Sequence, residues 1–316
     1  MPIRPHHPSL SLISKSFHST LPSPDFLATR SLLNSTHQSL HLNLRLNSSF
    51  NWDTLNQRPH VAKQPCLLTP LAGIKNQPVG SCFAGGAVNE IASNNVWVFN
   101  CRFGKWEIVA KMRVCREFAA AGVVNGKIHV MGGCVGDNFV KSSNWTGVGV
   151  RKGVESPVEI RDKWMHASCV LNWRIYSIAD WGGVVFNAGT REWGRNVPKR
   201  LDLGWRGRAA VVGGVVYCYD FLGKIRGYDV ETDVWKELRG VDKSLPKFLC
   251  GATMMSLNGN LCVVLERKGG KKEVDIMCAE IEVWKDNDGV ECIGFVVRFF
   301  LFRLGLQEVH CLSVDL

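Results

Sequence analysis

The residue types that perform catalysis are present, but they are not grouped as catalysis requires. Glu231 and Asp233 are two carboxylates one residue apart, a pair able to share acid and base roles. They fall between Tyr228 and Trp235 in a segment that reads as a turn, so a solvated hairpin tip accounts for them. His6 and His7 offer two imidazoles to a metal but sit in a polar terminus. Gly147, Gly149 and Gly153 miss the G-x-G-x-x-G spacing of a dinucleotide-binding turn by one residue. There is no G-x-S-x-G elbow, no G-x-x-x-x-G-K-[ST] phosphate loop and no H-E-x-x-H pair. The 12 cysteines include no C-x-x-C pair, so the spacing of a zinc site is absent. The expectation is a chain with no catalytic residue, no metal and no cofactor.

Composition narrows the class of partner. The 316 residues are 46% hydrophobic and 21% charged, which is a globular balance. The net charge of +10 is dispersed: no run of Lys and Arg exceeds two. No basic, aromatic-studded nucleic-acid motif occurs, so nucleic acid is not an expected partner. Residues 1–30 lack the continuous apolar run of a secretory signal. Phe295 to Leu306 is the most apolar stretch, but Arg298 and Arg303 interrupt it and it falls short of the roughly 20 residues of a membrane helix. Cysteines such as Cys169 and Cys262 lie in apolar runs, as small buried thiols of a reducing compartment do. The expected location is cytoplasm or nucleus, with no sugar on the sequons at Asn34, Asn47 and Asn144. A second reading of residues 1–50 is a targeting peptide. That stretch is serine-rich, with Asp25 as its one acidic residue beside Arg4, Lys15, Arg30 and Arg45.

The elements that would position any site come from an internal repeat. Three segments share an apolar run, an aromatic, Asn or Asp, and a tryptophan seven residues after the aromatic. They are Phe99-Asn100 with Trp106, Phe186-Asn187 with Trp193, and Tyr228-Asp229 with Trp235. The short polar residue starts a turn, and both rings fall on one face of the resulting hairpin. A second hairpin accompanies each repeat. Its turns are Asn125-Gly126, Asn172-Trp173, Gly213-Gly214 and Asn258-Gly259, spaced 47, 41 and 45 residues apart. Asn-Gly between apolar runs is a strong hairpin signal, because both positions tolerate positive φ. Two hairpins per repeat predict four-stranded sheets of the size of a propeller blade. No useful helical periodicity occurs after residue 34.

Arg116 to Gly133, with its leading Arg and closing Gly132-Gly133, resembles a kelch repeat. The strings from Lys163, from Leu201 and from Leu245 resemble plant F-box/kelch-repeat proteins over most of the chain. Asn144-Trp145 resembles the family, whereas Thr146 to Val154 and Ile293 to Leu306 depart from it. His7 to Leu33 resembles the second half of an F-box, with its Ile13-Ser14-Lys15-Ser16-Phe17 core. Leu10, Ile13, Phe17 and Leu21 follow helical spacing, and Ser23-Pro24-Asp25 starts a further helix.

The resemblance implies an all-β kelch-type β-propeller of about six blades of four strands, behind a short N-terminal helical stub. The expected divisions are a partial F-box over 5–33, helices 2 and 3 only, and a propeller over 38–316. Leu40 to Leu46 and Glu308 to Val314 are expected to share one blade and so seal the ring. The family implies a substrate-recognition adaptor of a Skp–cullin–F-box ubiquitin ligase. The alternative is a stand-alone kelch scaffold or decoy. The implied linker-facing residues are Leu10, Leu12, Ile13, Phe17, Leu21 and Pro24. The absence of an F-box first helix weighs against docking to the Skp-type linker and cullin. Polar and aromatic positions flanking the strands supply a substrate cup: Arg116, His166, Trp205, Arg206, Arg208 and Lys247. Each also has a structural reading, since kelch arginines tie blades together and Trp205 suits a core. Kelch-like copper oxidases need clustered Tyr, His and Cys, and the chain has 4 tyrosines, none placed with a histidine by the repeat.

Overall fold

In this computed structural model the described residues are 12–21, 23, 25–26, 29, 32–33, 38–46, 49–56, 67–70, 83–84, 87–88, 91–100, 105–133, 146–147, 165–179, 182–194, 197–268, 274–286, 292–304 and 308–315. A short helix, α1 (Lys15–Thr20), comes first. Ser14 caps it, its Oγ accepting from the Phe17 amide at 3.1 Å. Ser23 repeats the device with Phe26 at 3.2 Å, where the sequence predicts a second helix start.

Strands then follow in sheets. Blade I takes β1 (Gln38–Leu46), β2 (Ser49–Asn56) and β3 (Leu67–Pro70). Blade II takes β4 (Phe83–Ala84), a short pair β5 (Ala87–Val88) and β6 (Ile91–Ala92), then β7 (Val96–Asn100) and β8 (Lys105–Val109). Blade III holds β9 (Ala120–Val124), β10 (Lys127–Met131) and β11 (Thr146–Gly147). Blade IV holds β12 (Met165–Leu171), β13 (Arg174–Ala179), β14 (Gly182–Asn187) and β15 (Glu192–Gly194). A six-residue helix, α2 (Lys199–Gly204), leads to blade V. That blade is β16 (Ala210–Val212), β17 (Val215–Tyr219), β18 (Ile225–Asp229) and β19 (Val234–Arg239). Blade VI is β20 (Thr253–Leu257), β21 (Asn260–Lys268), β22 (Val274–Lys285) and β23 (Cys292–Leu304). The last strand, β24 (Glu308–Asp315), returns to blade I and pairs antiparallel with β1, from Gln38 opposite Asp315 to Arg45 opposite Glu308. The two ends of the chain thus share one sheet, in the order β24-β1-β2-β3, as ring closure predicts.

Successive sheets stack face to face. The first strands of neighbouring blades touch in sequence: β9 with β12, β12 with β16, β16 with β20, and β20 with β24. Each interface is a separate apolar cluster, and alternation along the strands divides the side chains between them. In β17, Val215 and Tyr217 face blade VI, while Val216 and Cys218 face blade IV. In β13, Ile175 and Ala179 face blade III, while Tyr176 and Ile178 face blade V. In β21, Leu261 and Val263 face blade V, while Cys262 and Val264 face blade I. Burial on both faces explains why these strands read as continuous apolar runs and not as apolar–polar alternation. The fold is an all-β propeller.

The repeat signals correspond to particular contacts. Phe99 lies opposite Trp106, Phe186 opposite Trp193 and Tyr228 opposite Trp235. Ring centroids are 4.9 Å apart for Phe186 and Trp193 and 5.2 Å for Tyr228 and Trp235, tilted at 56° and 49°. Asn187 Oδ1 accepts from the Gly189 amide at 2.9 Å, and Asp229 Oδ1 from the Glu231 amide at 3.0 Å, which starts each turn. The four predicted two-residue turns all have positive φ at both positions, at 50° and 67° for Asn125-Gly126.

Trp52 lies on β2, paired with β1, and Trp284 on β22. One detail differs from the sequence reading. Helix α2 lies where no helical period is legible, since six residues behind Pro198 hold less than two turns. Asn144 and Trp145 lie outside the described residues.

Candidate partner-binding surface

Antiparallel strands put successive connections at alternate ends of a sheet. The two-residue turns occupy one end of the blades. The inter-blade connections and the middle turn of each blade occupy the other. All six sequence-predicted cup positions belong to those connections or, for His166, to the first residues of an innermost strand. They therefore share an end, but not an environment.

Arg116 is fully buried, and its Nη1 donates to the Gly132 carbonyl within blade III. Its backbone also bridges to Ser93 of blade II. Gly133 beside it has φ +83°, and a Cβ there would meet the Glu117 carbonyl oxygen at 2.5 Å, so the double glycine closes tightly over the arginine stem. Trp205 is buried in the cluster between blades IV and V, and its Nε1 donates to the Gly207 carbonyl at 2.9 Å. These two residues are corrected from the cup to the packing: a side chain without solvent contact presents nothing to a partner. The side chain of His166 lies outside the described residues.

Arg206, Arg208 and Lys247 lie on the connections that lead into blades V and VI. Trp205 anchors the connection that carries the two arginines. Gly207 then bends it at φ +60°, directly over the Tyr219 ring, where a Cβ would lie 2.5 Å from the hydroxyl. The turn between β17 and β18 is held by Asp220, whose Oδ1 accepts from the Leu222 amide at 2.8 Å and the Lys224 amide at 3.0 Å. Gly223 in that turn accepts from the Leu249 amide at 2.9 Å, stapling blade V to the connection before β20. Three segments thus converge: 205–209, 220–224 and 245–250. The Arg206 guanidinium sits 3.9 Å over the Phe221 ring, and one of its donors reaches the Trp205 carbonyl at 2.6 Å.

Sequence reasoning missed the apolar part of this surface. Phe221, Leu222 and Phe248 project from those segments with 65–73% of their surface in solvent. Three large apolar side chains exposed on two adjoining loops form a candidate contact surface. The available signal was Asp220-Phe221-Leu222-Gly223, a turn whose central positions are apolar where polar residues are usual. The groups it presents are guanidinium forks, which suit carboxylates, beside ring faces, which suit apolar side chains. Among the described residues no group of three or more His, Cys, Asp and Glu is placed to hold a metal. Burial pushes the Cys218 thiol up to about 11 and raises Cys292 as well, away from thiolate reactivity. No helix among the described residues is long and apolar enough to cross a membrane.

At the N-terminus, Leu12, Ile13 and Phe17 are exposed around α1, whereas Leu21 is buried with 7% exposure. Leu21 is thereby withdrawn from the predicted docking set. Leu10 and Pro24 lie outside the described residues.

Comparison with known proteins agrees with this architecture. The profile of the FKB95 kelch-repeats domain matches residues 79–299. The F-box/kelch-repeat protein At4g39550 of Arabidopsis thaliana is 32% identical over 327 residues, covering 90% of this chain and 82% of the relative. The putative F-box/kelch-repeat protein At3g27910 of the same plant is 27% identical, covering 93% of this chain and 83% of its own. A solved structure titled "Structure of YjhT" covers 81% of this chain and 94% of its own, at 12% identity and a TM-score of 0.49. With its profile match and relatives spanning most of the sequence, the chain belongs to the plant family of F-box/kelch-repeat proteins.

Proposed function

We propose that the chain is the substrate-recognition adaptor of a Skp–cullin–F-box ubiquitin ligase. Residues 5–33 act as the F-box part and residues 38–316 as the target-binding propeller. The observation that carries this reading is the relationship to F-box/kelch-repeat proteins along 90% of the chain. The exposed Leu12, Ile13 and Phe17 support it, because large apolar side chains on a helical stub need a protein partner to cover them. The adaptor performs no chemistry of its own. It holds a target beside the ligase, and proximity supplies the rate gain. The target is held by the loops of blades V and VI around Arg206, Phe221 and Phe248.

A stand-alone kelch scaffold is the second reading, and the burial of Leu21 favours it, since one predicted docking residue is used internally. Co-expression with a Skp-type linker and a cullin tests the choice. The adaptor reading expects all three to purify together through a tag on this chain. Recovery of the folded chain alone would select the scaffold.

A further inference from the structure

Blade IV departs from blades II and V at one cluster of positions. Across β13, β14 and β15, Arg174 lies opposite Asn187 and Asn187 opposite Glu192. In the next row on that face, Tyr176 lies opposite Val185 and Val185 opposite Gly194. Paired residues of antiparallel strands share a face, as do residues two apart, so both rows face blade V with Tyr176 and Val185. In blade V the same places hold Val215, Asp229 and Val234, then Tyr217, Gly227 and Lys236. Blade II has Glu107 where blade IV has Gly194. Blade IV thus puts charges where blade V has valines, and a glycine where blades II and V have long side chains.

These rows, with Pro198 and with Val230 of blade V, line a cavity of about 450 Å³. That lies within the size range of small-molecule sites. A Cβ on Gly194 would meet only Val185 atoms, at 3.4 Å, so the glycine leaves room. Tyr176 is 3% exposed, yet its hydroxyl has no hydrogen-bond partner among the described residues, whereas Tyr228 of the same cluster donates to Asp233. A buried donor of this kind calls for an acceptor. Arg174 and Glu192 form no ion pair among the described residues. Asn187 Oδ1 accepts from the Gly189 and Thr190 amides, at 2.9 and 3.2 Å, which leaves its amide NH2 to donate.

We propose that this cavity binds a small zwitterion of dipeptide size, its carboxylate toward Arg174 and Tyr176 and its ammonium toward Glu192. Arg174 and Tyr176 stand two residues apart on β13, so a planar donor fork and a phenol hydroxyl serve one carboxylate. Glu192 lies two strand spacings away, about 10 Å at the backbone, and both charged side chains line the gap. A dipeptide carries its charges about 6–7 Å apart, which suits that gap, whereas a single amino acid reaches only one end. The Asn187 amide between them suits the peptide carbonyl. The cavity lies beside the Asn172-Trp173 turn, at the end of the blades opposite to the Phe221 loops, so it is independent of target binding there.

Calorimetric titration of the full chain with alanyl-alanine tests this. The controls are N-acetyl-alanyl-alanine, which lacks the ammonium, alanyl-alanine amide, which lacks the carboxylate, and free alanine. The expected result is saturable binding of alanyl-alanine, at least about tenfold tighter than any control. Gly194→Leu fills the cavity and leaves every charge in place, so it should abolish binding at an unchanged melting temperature. Arg174→Met should bind alanyl-alanine no better than its amide, and Glu192→Gln no better than its acetyl form. No saturable heat at millimolar dipeptide would overturn the proposal, as would equal binding of the blocked forms or binding indifferent to Gly194→Leu.

Discussion

Lys285 at the end of β22 donates to the Asp229 carboxylate, which opens the β18–β19 turn, at 2.7 Å, so one ion pair fastens blade VI to blade V. The same carboxylate accepts from the Glu231 amide. A repeat residue that shapes its own turn therefore also bolts its blade to the next.

Removing this bolt should be measurable. Burial pushes the Asp229 carboxyl up, but the Lys285 ammonium and the turn amides outweigh it and hold it below the ordinary value. The bond to Asp229 holds Lys285 above its own, against the opposing effect of burial. Lys285→Met should cost about 1–2 kcal/mol, less than a fully buried pair because the lysine is partly exposed. The carboxylate contribution is present above its unfolded value of about 3.9 and is lost as pH falls through the lower folded value. The lysine contribution is present below about 10.4 and is lost as pH rises through the higher folded value. Urea melts across pH should show a constant gap between wild type and variant from about pH 4 to 10, shrinking outside it.

Close packing of α2 against a repeat tryptophan gives a second test. A Cβ on Gly204 would lie 2.2 Å from Trp235 Nε1, and that nitrogen donates to the Arg200 carbonyl at 2.7 Å. Gly204→Ala must displace the indole and break this bond, at about 2–3 kcal/mol. Gly126→Ala, at φ +67° with open space around it, carries only backbone strain of about 1 kcal/mol. Thermal melts should rank the two in that order.

The contact surface on blades V and VI predicts a separation of binding from stability. Phe221→Ser and Phe248→Ser remove exposed side chains, so unfolding should change by no more than about 0.5 kcal/mol. Proximity labelling in plant cells should nevertheless lose the target set while retaining the linker. An unchanged set of labelled proteins would place target recognition elsewhere on the propeller.

The fold was legible because its signals are local and repeated. An Asn-Gly turn requires positive φ wherever it occurs, and an aromatic facing a tryptophan across a hairpin needs only fixed spacing. Arg116 and Trp205 show the limit: a repeat position is readable, but its burial depends on the neighbouring blade. Phe221, Leu222 and Phe248 were hidden for the converse reason. Apolar residues near strands look like core until the two loops that carry them are seen to leave them outside. The run from Ile293 to Leu306 departed from the family pattern, and only the sheet order places residues 293–304 on the long strand between β19 and β22.

The adaptor account stands most directly on docking of the N-terminal stub. Isothermal calorimetry of the full chain against a purified Skp-type linker, with Ile13→Asp/Phe17→Asp as the paired variant, measures it. The account predicts a saturable binding heat for the wild type, lost in a variant whose propeller melts at the same temperature. A folded wild-type chain that gives no heat, or a variant that binds equally well, would contradict it.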